Sequence, residues 1–91
     1  MIFKVFGIYD SKTQAYLPPF MMQHIGDAER ALIEHVNDPQ HNFSKWAEDF
    51  TLFELGTWNN STGKYDLHEA PKSISVLLHY KRPTVPAGIP A

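Results

Sequence analysis

Phe50-Thr51-Leu52-Phe53-Glu54-Leu55-Gly56-Thr57-Trp58, then Asn59-Asn60-Ser61-Thr62-Gly63, then Lys64 to His68, is the stretch on which the fold turns. In its first part Phe50, Leu52, Glu54 and Gly56 alternate with Thr51, Phe53, Leu55 and Thr57. Aromatic and β-branched residues at a two-residue period fit a pleated strand. The Asn-Asn-Ser-Thr-Gly run is turn chemistry, because Asn and Ser side chains bond nearby backbone and Gly takes up positive φ without strain. A hairpin is therefore predicted, with 50–58 returning through 64–68.

Working outward, Ile2, Lys4, Phe6 and Ile8 alternate with Phe3, Val5, Gly7 and Tyr9, so both sides of 2–9 are largely apolar. That pattern predicts a central strand covered on both faces. Asp10-Ser11-Lys12-Thr13 supplies a turn, and Gln14 to Met22 would return as an irregular or edge strand. Pro18-Pro19 cannot donate to a ladder and is expected at a bend or bulge. Ala28, Ala31, Leu32, His35 and Val36 recur at helical spacing, with Asp27 the expected N-cap and Asn37-Asp38-Pro39 the stop. Phe43 and Trp46 suggest one helical turn pinning the loop 40–49 to the core. Residues 73–80 fit either a short helix bearing Ile74, Leu77 and Leu78 or a final strand. The fold class expected is α+β: a small antiparallel sheet of two β-hairpins with one amphipathic helix packed on it. One domain is expected over 1–82, followed by a Pro-rich flexible C-terminal tail at 83–91.

Composition narrows the chemistry. A hydrophobic share of 43% and an aromatic share of 13% argue against disorder. With no Cys, disulfides, thiolate zinc sites and thiol catalysis drop out together. No apolar run approaches the roughly 20 residues that span a bilayer, so no membrane partner is expected. The histidines His24, His35, His41, His68 and His79 include no pair one helical turn apart, so no metal site is expected. Glu48 and Asp49 are adjacent and would point apart on an extended chain. There is no phosphate-cradling glycine loop and no nucleophile–base signature. An enzyme, a cofactor and a small-molecule substrate are accordingly not expected.

The formal net charge is −2, whereas nucleic-acid binders draw most of their non-specific affinity from cations. The charge is uneven, however: Lys64, Lys72, Lys81 and Arg82 outnumber Asp66 and Glu69 after residue 63. This is either ordinary surface mixing or a basic C-terminal face. Trp58 and Tyr65 flank the turn near Lys64, and Tyr80 adjoins Lys81 and Arg82. Aromatic rings set among cations make a stacking platform for single-stranded DNA. The same residues would also serve a homodimer or another protein–protein module, where Trp and Tyr are enriched. The residues by themselves leave both open.

Lys4 to Lys12 and Ala15-Tyr16-Leu17-Pro18-Pro19-Phe20 resemble the start of the small nonstructural protein of gokushoviruses, single-stranded DNA phages of the microvirus family. The resemblance continues through Gly26-Asp27-Ala28, Arg30-Ala31, Asn37-Asp38-Pro39, Phe43 and Glu48 to Gly56, and ends near His68 to Pro71, covering about residues 3–80. It implies a DNA-binding protein that assists viral genome replication or packaging in the host bacterial cytoplasm. It brings no catalytic residues. The contacts expected on this reading are Trp58, Tyr65 and Tyr80 for bases, and Lys64, Lys72, Lys81 and Arg82 for phosphates.

Overall fold

The first strand, β1 (Ile2–Asp10), lies inside the sheet, as its two apolar sides require. The computed structural model describes residues 1–82; the tail expected at 83–91 lies outside the described residues. On one side β1 pairs antiparallel with β2 (Ala15–Tyr16) and β3 (Phe20–Met22). These two short strands are one return stroke broken at Leu17-Pro18-Pro19, where the expected bend falls. On its other side β1 pairs with β4 (Phe50–Asn59), and β4 pairs with β5 (Tyr65–Val76). The result is a five-stranded antiparallel sheet in which the two expected hairpins are joined by β1 and β4.

The β4–β5 hairpin closes through the predicted turn. Gly63 N–H donates to the Asn59 carbonyl (2.7 Å), and Ser61 N–H donates to Asn59 Oδ1 (2.9 Å). The return strand is longer than the sequence suggested, since β5 runs on to Val76 and swallows Pro71. Gly56 pairs with Leu67 and Glu54 with Lys72, so residues 68–71 bulge opposite Leu55. A proline is tolerated there because β5 is an outer strand and the bulge has left the ladder. The ambiguous 73–80 segment thus divides into the end of β5 and a 3-10 turn, Leu77–Tyr80.

The main helix, α1, spans Ile25–Val36. Asp27 is not its N-cap. His24 is the cap residue in extended geometry, without a side-chain cap bond, and Asp27 lies in the first turn. A carboxylate there still meets the positive end of the helix dipole. A short helix, α2 (Asn42–Lys45), and a 3-10 turn (Ala47–Asp49) occupy the loop before β4. Ala28, Leu32 and Val36 of α1 meet Phe6, Ile8 and Leu52 of the sheet, with Ala47, Phe50 and Leu77 closing the cluster. Phe6, Leu52, Leu77 and Val36 are fully buried. Each such side chain contributes about 1.5–3 kcal/mol by leaving water.

A second bulge sits in β4, where Val5 pairs with Gly56 but Phe6 pairs with Glu54, making Leu55 the extra residue. Gly56 has φ +155, and a Cβ on it would overlap the Asp66 carbonyl oxygen and stand 2.6 Å from Leu67 Cα. Gly56→Ala is therefore expected to cost about 2–3 kcal/mol in urea unfolding, because rigid backbone must move. Gly63→Ala, at φ +74 in open space, should cost only about 1 kcal/mol.

Candidate binding face of the sheet

Strand alternation sends Phe6 and Ile8 to the helix side and Phe3, Val5, Gly7 and Tyr9 to the other. Ring contacts follow that division. Phe6 stacks on Phe20 at 5.6 Å beneath α1. On the far side Phe3 meets Trp58 at 5.8 Å, and Trp58 meets Tyr65 at 6.4 Å. Further along the same face Tyr9 packs edge-on against Tyr16 (5.0 Å), and both rings meet Phe53 (6.4 and 5.6 Å). Gly7 separates the two groups. A Cβ there would press on Leu55 and Tyr16 side chains at 3.1 Å, so glycine lets these residues close over β1.

Register completes the face with Met21 beside Val5, Leu67 beside Gly56, and Thr51, Ser73 and Val76 at the far end. Among the described residues, none of these paired positions carries a charge, and the helical residues of the core cluster belong to the opposite side. Tyr65 is 55% exposed, Leu67 61% and Tyr16 42%. Exposed apolar surface of this kind makes the face a candidate interaction site.

The charges sit on the helix side, beyond the end of the core. Lys4 Nζ donates to Glu54 Oε1 (3.0 Å), and His68 Nε2 bonds Glu54 Oε2 (2.6 Å). Lys72 pairs with Glu54 across the strands. The Glu54 carboxyl is held below its usual 4.5, first by the bond with His68 and then by Lys4, against the opposing effect of burial. This trio ties the bulge at 68–71 to β1 and β4.

The residues singled out in the sequence divide between two places. Trp58, Lys64 and Tyr65 stand together at the tip of the β4–β5 arm, with Lys72 exposed further along the outer strand. Tyr80, Lys81 and Arg82 do not join them. The Tyr80 hydroxyl donates to Glu29 Oε2 (2.7 Å), and burial, then Glu29, push the phenol well above its ordinary pKa. Lys81 Nζ donates to the Ser44 carbonyl (3.0 Å), and Arg82 N–H donates to Asn37 Oδ1 (2.8 Å). The Tyr80 and Lys81 side chains and the Arg82 backbone are thereby tied to α1 and α2, while the Arg82 side chain stays exposed, away from the arm tip. Sequence reasoning missed Phe3, Tyr9, Tyr16 and Phe53 as members of one face. The signal was present in the odd-numbered side of β1, but it depended on knowing which side the single helix takes. No group of His, Asp and Glu able to hold a metal occurs among the described residues, and no described helix is long and apolar enough to cross a membrane.

Sheet, helix and bare aromatic face together define a small α+β domain built around one open surface. A family model described as phage ORF5 protein matches residues 3–80, and the chain belongs to that family of phage proteins. No curated protein and no solved structure matches it.

Glu54 ties its stability contribution to pH. Its depressed pKa means the contribution is present above about 4.5 and is lost as pH falls through the folded value. Glu54→Gln should lower stability by about 1 kcal/mol at pH 7, the partners being partly exposed. The gap between variant and parent in urea unfolding should close as pH drops from 4.5 through the lowered folded pKa.

Proposed function

We propose that this phage protein is a nonstructural protein that binds single-stranded DNA and assists genome replication or packaging in the bacterial cytoplasm. Phe3, Trp58 and Tyr65 offer their rings to bases, and Lys64 beside them reaches phosphates; Lys72, expected there from the sequence, is left out because it stands across from Glu54 on the helix side of the sheet. The observation that carries the reading is the ring ladder ending at Tyr65, which is half exposed and adjoins Lys64 on the arm tip. Stacking on such rings contributes about 1–3 kcal/mol per base and tolerates any sequence. Membership in a phage family, and the resemblance to gokushovirus proteins, support the choice of a viral nucleic acid.

Tyr80, Lys81 and Arg82 are left out of this site because the Tyr80 hydroxyl and the Lys81 ammonium are bonded within the fold, and all three are held beside α1 and α2 rather than at the arm tip. With one lysine on a phosphate, the log–log slope of affinity against salt should be shallow, about −0.7. Stacking rather than charge would then dominate, which fits a chain of net charge −2.

Fluorescence anisotropy of a labelled single-stranded oligonucleotide tests this directly. Tyr65→Ala should weaken binding about tenfold, the lower range of one lost stacking contact. Lys64→Glu should weaken it and flatten the salt dependence, while Lys81→Glu should leave the affinity unchanged. Equal affinity for duplex, or a loss confined to Lys81→Glu, would sink the assignment.

A further inference from the structure

We infer that, in the absence of DNA, the aromatic face closes on the same face of a second copy. The inference shares its surface with the DNA reading but does not depend on it. Three features commit the face to this occupant. Its paired positions hold no charge among the described residues, so two copies meet without repulsion and without stripping water from an unpaired ion. Phosphates find no cation at the paired positions of the face, and a charged partner would find no counter-charge there. Its composition of Phe, Tyr, Trp, Leu and Met is that of the fully buried centre of interfaces.

Size agrees. Tyr65, Leu67 and Tyr16 are 55%, 61% and 42% exposed, and Phe3, Phe53 and Trp58 are half-buried. With about 150–250 Å² per aromatic side chain, the face presents several hundred Å². That falls short of the ~800 Å² each partner gives to a standard interface, so the dimer expected is a weak, reversible one. Two-fold symmetry makes the contact self-complementary and closed, and two bare sheets cover each other at a spacing of about 10 Å.

The alternative route, pairing through the outer edge of β5, is blunted. Residues 68–71 bulge away, Pro71 has no N–H to give, and Lys72 stands beside it. The partner therefore meets the face and not the edge. It follows that DNA and the second copy compete, since both need Tyr65 and Trp58: oligonucleotide should convert dimer to DNA-bound monomer.

Sedimentation velocity of the full chain, from micromolar to several hundred micromolar, tests the inference without DNA. A concentration-dependent dimer is expected. Tyr16→Lys and Leu67→Lys, both at exposed positions, should each raise its dissociation constant at least about tenfold while circular dichroism stays unchanged. A monomer throughout, or a dimer indifferent to both lysines, overturns the inference. Added oligonucleotide then separates the two readings. Dimer dissociating as DNA binds supports both. A lysine-sensitive dimer with no DNA binding keeps the dimer and removes the DNA assignment. DNA bound by an intact dimer overturns the competition and moves the DNA off this face.

Discussion

One amphipathic helix has to serve a sheet whose central strand is apolar on both sides. An apolar stripe on a helix covers one sheet face, and the one long helix among the described residues is committed to Phe6, Ile8 and Leu52. Everything distinctive follows from that shortage. The helix side becomes an ordinary core, fully buried at Phe6 and Leu52. The other side is left to its own rings, which lean on one another in tilted and edge-on contacts rather than on a second layer. Such contacts add about 0.5–1.5 kcal/mol each beyond area, enough to order the face but not to remove it from water.

The strand bulges decide how that face is shaped. Leu55 is extra in β4 and turns to the bare side over Gly7, where a larger residue would collide with it. Gly56 lets β5 approach so closely that no side chain fits between the strands. The long excursion at 68–71 would swing free without an anchor, and Glu54 provides one by holding His68 and Lys4 together. Two glycines and one carboxylate thus keep the aromatic residues in register along both halves of the face.

Local chemistry carried much of this in the sequence. The β4–β5 turn, the break at Pro18-Pro19 and the helix through Ala28, Leu32 and Val36 each rest on short-range preference, and each is where the residues put it. What depended on tertiary choice was not readable. Asp27 has the chemistry of a cap, but the cap falls three residues earlier, at His24, because Ile25 and Gly26 join Asp27 in the first turn. The return strand was legible only as far as His68, because its continuation to Val76 depends on a bulge that takes Pro71 out of the ladder. Tyr80, Lys81 and Arg82 looked like a cationic aromatic patch, yet a hydroxyl, an ammonium and a backbone N–H there had buried or half-buried acceptors waiting on Glu29, Ser44 and Asn37. Composition shows which groups are available. It does not show which have already been used by the fold.

That last distinction bears on the choice between a nucleic acid and a protein as occupant. Once Lys81 is spent on α2 and Lys4 on Glu54, few cations remain near the aromatic face, and none at its paired positions. A binder with little charge must hold single strands mainly by stacking, which confines the contact to rings that a base can reach from outside. The same rings, in a protein free of DNA, are the most costly part of the surface to leave in water. On the two proposals made above, a face of this composition exchanges one cover for another, with Trp58 and Tyr65 common to both and Lys64 useful only to the DNA.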